Sequence, residues 1–337
     1  MKTKSERNST FELIRICAML LVVYYHTFYY TYGYRPSNDI IGGMEVVLHI
    51  GVAMFVLLSG YFGIKPSVAG GGELLGRWFL YFVPLIIVKN TCHPSEIHNF
   101  NPFFFITDSP YWFMQSYLAL YLIAPVLNAY LKDCSKKQMA YTLTVLFFIN
   151  TYWGVVGDFS YLREGKNLIN FMMIYVIGCS LKVWRIEIRQ IKVFWIILFY
   201  LLLNLSIFVL YVIGDDNIQT EILILAYNYS SPLLIINAML LFVVLSHIQL
   251  KSKCINYIAS STLAVYLIHV HPIICGSIFK MPLMYIYNNL DNTILICLIY
   301  FVFAVLFFAL CILIDKSLSP VWNYFARCID KINSRNS

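Results

Sequence analysis

Three groups of ionisable side chains stand inside otherwise apolar sequence. Arg15 and His26 are eleven residues apart in the run FELIRICAMLLVVYYHTF. At ~100° per residue that spacing falls within ~20° of three whole turns, so one helix face carries both, ~16 Å apart along the axis. Glu12 precedes Arg15 by three residues and shares the face. Glu45 and His49 are spaced i, i+4, which permits a carboxylate–imidazole contact. His269 and His271 lie ~200° apart on a helix, so at most one of them faces the interior that the other histidines share.

An unperturbed imidazole titrates near pH 6.5, so several histidines at similar depth point to proton chemistry in a cavity. At this level the chemistry stays open between proton-coupled transport and acyl or phosphoryl transfer. For His26 alone, a hydrogen-bonded core histidine is as good an account as catalysis. His247 reads as interfacial, and His93 and His98 as solvated loop residues.

The elements that must position these residues follow from composition. Of 337 residues, 60% are apolar and only 12% charged. A soluble domain is nearer 45–50% apolar and ~25% charged. The net charge of +7 is spread along the chain and not clustered, so no nucleic-acid partner is expected. The remaining class is an all-α, polytopic membrane protein. Apolar runs of ~20 residues cross a ~30 Å hydrocarbon core as helices. Ten such runs are predicted, at about 11–30, 44–64, 77–90, 110–131, 139–154, 168–184, 193–213, 221–248, 256–279 and 293–314. The third is short. The eighth is interrupted by Asn228-Tyr229-Ser230-Ser231-Pro232, where a bend or break is predicted.

Charge placement fixes the orientation. With the loops numbered alternately from a cytosolic N-terminus, 18 of the 24 Lys and Arg fall on the cytosolic side, 5 fall outside and Arg15 lies within a span. The positive-inside rule therefore predicts an even span count and both termini in the cytosol. The first run follows a short basic stretch and reads as an uncleaved signal anchor. Residues 320–337 alternate apolar and basic residues at helical spacing, as in a helix lying on the inner leaflet, and a frayed polar tail is as good an account. The chain reads as a single membrane-embedded domain over 1–337. Its nine cysteines show neither a disulfide framework nor metal-ligand spacing, and no metal is expected.

The sequence resembles acyltransferase family 3, integral-membrane enzymes that acylate sugars and polysaccharides. Four segments carry the resemblance, in order. They are Arg15, ten residues and His26; Gly51 to Phe62, with Ser59-Gly60-Tyr61 near its end; Tyr111-Trp112-Phe113 followed by Tyr121-Leu122-Ile123-Ala124-Pro125; and Val265-Tyr266-Leu267-Ile268-His269. The resemblance implies a cytosolic acyl-CoA donor, acetyl-CoA above all, and no permanently bound cofactor. It implies an acceptor hydroxyl on a sugar of a cell-surface polysaccharide or its lipid-linked precursor, in a bacterial cytoplasmic (inner) membrane.

In that scheme His26 is the general base, with Glu45, His49 and His269 as further candidates for proton handling. An imidazole suits removal of a hydroxyl proton during attack on a thioester. Arg15, Ser59, Lys65 and Arg77 are the candidates for donor binding, since arginine grips phosphate through its planar fork. Ser59-Gly60 reads first as a tight helix-packing surface and second as a place of close ligand approach. The sequence also departs from the family pattern. Many relatives carry Arg-x-x-Arg after the second helix, but here Leu74 stands three before Arg77. Some relatives append an extracytoplasmic esterase-like domain. Here the membrane domain is expected to act alone or with a separate partner. The rival reading is a proton-coupled transporter or flippase of a glycolipid or acylated metabolite, which the broken eighth helix would suit.

Overall fold

The computed structural model describes residues 8–33, 38–92, 105–108, 110–157 and 162–322. His93, His98 and nearly all of the predicted interfacial helix lie outside those residues. The described chain is mostly helical, with no strand among the described residues. It divides into two compact units: Met1–Ile64 with Ser116–Ser260, and Lys65–Gln115 with Ser261–Ser337.

Among the described residues seven helices are long and apolar enough to cross a membrane, or nine spans if each of two bent pairs counts as one. The first is α1, Ser9–Tyr32, capped by the Asn8 side chain on the Thr10 amide and ended at Gly33, whose N–H donates to the Tyr29 carbonyl. The predicted second span is two helices, α2 (Asp39–Leu48) and α3 (Gly51–Phe62), with His49 as the cap between them. The third, α4, is longer than predicted and runs Val68–Cys92. It starts early because Ser67 caps the glycine-rich stretch, accepting from the Gly70 amide.

The polar interruption in the eighth run is a break. Asp216–Tyr227 and Pro232–Ser246 meet at 56°. The ninth run also breaks, between Lys253–His269 and Pro272–Asn289, at 71°. Its cause is Pro272, which has no amide to give and disfavours helical backbone at His271. The sixth predicted run, Leu168–Val183, is helical but has only 16 residues, ~24 Å at 1.5 Å each.

In the first unit α3 packs against Leu168–Val183 at backbone contact distance. A Cβ on Gly60 would stand 2.0 Å from the Tyr175 carbonyl oxygen, and one on Gly178 2.2 Å from that of Leu57. The packing reading of Ser59-Gly60 therefore holds for the glycine. Asn204 and Asn237 join two further helices through a reciprocal buried amide pair at 2.9 and 2.8 Å. Such pairs satisfy polar groups that lipid cannot. In the second unit Tyr111 donates to the Leu267 carbonyl at 2.7 Å and Tyr300 to that of Leu283 at 2.9 Å. Many large apolar side chains on the long helices are exposed, Leu122, Phe194, Leu201 and Leu298 among them. This is the lipid-facing surface of an integral membrane protein.

Candidate active site

The continuous helix α1 carries Glu12, Arg15 and His26 on one face, as the spacing predicts. The Arg15 guanidinium binds Glu12 Oε2 at 2.5 Å, and its side chain remains one-third exposed. His26 is half-buried near the other end of the helix, its ring 5.0 Å from that of Tyr30 and 5.3 Å from that of Tyr25.

Arg15 is brought to two other residues of the same unit. Ser59 Oγ lies 3.3 Å from the Tyr117 hydroxyl, and the Arg15 charge acts on that phenol. Ser59 also donates to the Phe55 carbonyl at 3.0 Å. Arg15, Ser59 and Tyr117 thus form one polar group, ~16 Å below His26 along α1.

Glu45 and His49 share a helix end but make no contact with each other through hydrogen bonds. Glu45 is fully buried, and its Oε2 accepts from the Tyr227 hydroxyl at 2.5 Å. Its Oε1 has no hydrogen-bond partner among the described residues, and neither has either ring nitrogen of His49. The Tyr227 backbone lies close enough to act on the imidazole but outside hydrogen-bond geometry. The His49 ring is held by aromatic faces. It sits 4.5 Å from Tyr25, edge-on, 4.5 Å from Tyr229 and 5.1 Å from Tyr227. The i, i+4 contact that the spacing permits is replaced because Tyr227 reaches the carboxylate first, and because α2 ends at Leu48.

The break in the eighth run positions these tyrosines. Residues 228–231 are buried without being helical, so their backbone groups need partners. The Tyr229 amide donates to the Glu164 carbonyl at 2.9 Å. The Ser230 amide donates to Asn228 Oδ1 at 2.9 Å, and the Ser230 carbonyl accepts from Thr151 at 3.0 Å. The sequence locates this break. It does not show that the flanking Tyr227 and Tyr229 wrap His49.

The second unit holds the other predicted residues. His269 ends its helix, fully buried, with Nδ1 donating to the Val265 carbonyl at 2.8 Å. That bond fixes the tautomer and leaves Nε2 as the basic nitrogen. His271 is structural instead. Its Nδ1 accepts from the Ile273 amide at 3.3 Å and its Nε2 donates to the Phe82 carbonyl at 3.3 Å.

Arg77 is committed to protein partners. It donates to Asp315 at 3.1 Å and to Glu73 at 3.2 Å, and its guanidinium lies 5.1 Å from the Trp322 ring centroid. Tyr81 donates to the same Asp315 oxygen at 2.9 Å. Asp315 is 4% exposed, so Arg77 neutralises a buried carboxylate. Lys65, by contrast, is exposed in the segment before α4. Asp315 is absent from the residues singled out by sequence. It sits among apolar residues near the end of a 25-residue helix, and that position was the available signal.

No curated protein and no solved structure matches the chain. A family model described as an acyltransferase domain matches residues 68–316. The match includes Arg77 and His269, while α1 to α3, with Arg15, His26, Glu45, His49 and Ser59, precede it. The segment covered is most of the chain, and the protein therefore belongs to acyltransferase family 3.

Proposed function

We propose that this protein is a membrane O-acyltransferase that moves an acyl group, acetyl first among them, from cytosolic acyl-CoA to a sugar hydroxyl of a surface polysaccharide or its lipid-linked precursor. The match of residues 68–316 to an acyltransferase domain carries the reaction class. The α1 geometry supports the role of His26: a half-buried imidazole in line with a cation toward the helix start.

In this reading His26 takes the proton of the acceptor hydroxyl as its oxygen attacks the thioester carbonyl. A tetrahedral intermediate forms, and the carbon–sulfur bond breaks as the carbonyl returns. The departing thiolate recovers the proton from the imidazolium, leaving an ester and free CoA. The buried pair of Glu45 and Tyr227 lies beyond the adjacent Tyr25, and holds the wall against which His49 is packed.

The reading also proposes ten spans with both termini in the cytosol and residence in a bacterial inner membrane. Leu168–Val183 would be the tenth crossing, thinned to ~24 Å. Nine crossings would place the termini on opposite sides and abolish the 18 to 5 charge split.

The test is transfer of labelled acetyl from acetyl-CoA to glycan in membranes containing the protein. Label appearing in an ester-linked glycan supports the reading. The two bent spans are the observation that suits a transporter, and label-free movement of a glycolipid between leaflets without acetyl-CoA consumption would favour it.

A further inference from the structure

A cavity of about 740 Å³ opens in the first unit at the helix ends that carry the cytosolic Lys and Arg excess. It lies away from His49 and Glu45 and contains none of Arg15, Ser59, Lys65 or Arg77. Part of its lining is aromatic. Phe11 stands 4.8 Å from both Tyr61 and Phe62, and Tyr61 lies 5.7 Å from Phe242. Its lining is also basic, with Lys182, Arg185, Arg189 and Lys251, all exposed.

Among the described residues no carboxylate lines the cavity, and none of those four cations forms an ion pair. Glu187, between the two arginines, is paired with Lys136 instead. The wall is braced. Thr10 donates to the Ile248 carbonyl at 2.7 Å and accepts from the Leu250 amide at 3.2 Å. Ser9 likewise accepts from the Ser252 amide at 2.9 Å.

The positive-inside rule accounts for cations at these helix ends, but not for four of them lining one cavity together with a cluster of aromatic side chains. Four like charges facing one space repel one another until a polyanion enters. Aromatic side chains in the same lining give a planar base a surface on which to stack. We propose that this cavity seats the phosphate-bearing nucleotide end of the acyl-CoA donor, an inference that rests on the acyltransferase reading. Arg15 lies one turn along α1 from Phe11, and His26 lies fifteen residues along, about 22 Å. A donor held here by its phosphates reaches His26 through an extended arm that carries the thioester. Phosphate binding then belongs to Lys182, Arg185, Arg189 and Lys251, and Arg77 keeps its buried carboxylate.

The experiment uses full-length protein in nanodiscs of zwitterionic lipid, with calorimetric titration of CoA and of adenosine 3′,5′-bisphosphate. The double variants Arg185→Gln/Arg189→Gln and Lys182→Gln/Lys251→Gln should each weaken both ligands by about tenfold or more. The KM for acyl-CoA should rise in step, with kcat at saturation unchanged. Lys192→Gln, an exposed cation outside the cavity, should bind as the parent does. Unchanged CoA affinity in both double variants, with transfer intact, overturns the site and leaves the acyltransferase reading standing. A loss of binding to phosphatidylglycerol vesicles with CoA affinity unchanged also overturns it, making the cavity a lipid-headgroup site. A parent protein that neither binds CoA nor uses acyl-CoA removes the donor reading and the site together.

Discussion

Tyr227 donates its hydroxyl hydrogen to Glu45 at 2.5 Å across 182 residues of sequence, and the carboxylate it reaches is fully buried. The bond ties the broken eighth run to α2 and sets the aromatic box around His49. Tyr227→Phe keeps the ring and removes the donor. Glu45 is then left without a hydrogen bond from any described residue, and leaving a buried acceptor unsatisfied costs roughly 1–3 kcal/mol. Thermal unfolding in detergent should show the loss, and Glu45→Leu in the same background should recover part of it. A melting temperature equal to the parent's would mean that the bond contributes nothing.

His26→Gln preserves a polar side chain of similar reach but cannot serve as a base. Loss of general-base catalysis should lower kcat by about 10²–10⁴-fold, with the KM for acyl-CoA little changed. Steady-state kinetics on protein shown to be correctly folded decide the matter. Near-parental kcat would exclude His26 from the proton transfer.

Arg77 and Asp315 make a prediction in two steps. Arg77→Gln leaves a 4% exposed carboxylate held, among the described residues, by Tyr81 alone. Breaking a buried pair from one side costs roughly 3–5 kcal/mol, so the single variant should unfold or express poorly. Arg77→Gln/Asp315→Asn removes both charges and should restore folding. Acyl-CoA KM in the double variant then separates the roles: a parental value shows a structural arginine, and a raised one shows that Arg77 also touches the donor.

Gly60 and Gly178 test the close approach of α3 to Leu168–Val183. An added methyl at Gly60 meets a backbone oxygen at 2.0 Å, and no side-chain rotation relieves that. Gly60→Ala and Gly178→Ala should each lower stability by about 1–3 kcal/mol through helix separation. Gly76→Ala, at a position with nothing within 4 Å, is the control and should melt as the parent does or slightly higher. Equal melting temperatures for Gly60→Ala and Gly76→Ala would contradict the packing.

Much of the framework was legible because it is encoded locally. The shared face of Glu12, Arg15 and His26 follows from 3.6 residues per turn and needs no knowledge of neighbours. The break at 228–232 is legible for the same reason, since Pro232 and the polar residues before it disfavour a continuous helix wherever they stand. The second break, at His271, carries an equivalent signal in Pro272, yet the run reads as one span. Apolar content concealed it: both arms remain apolar enough to read as a single stretch.

What the sequence determined alone is therefore the class of molecule and the polar stripe of α1. Each is a property of composition or of one helix taken by itself. Only the tertiary structure decided which polar groups meet. Glu45 pairs with Tyr227 and not with His49, four residues away, and Arg77 pairs with Asp315, 238 residues away. The basic cavity draws its wall from α1, α3 and segments beyond residue 180. Helical periodicity assigns a residue to a face, but the partner of that face depends on which helices pack together, and apolar surfaces of similar hydropathy do not specify that choice.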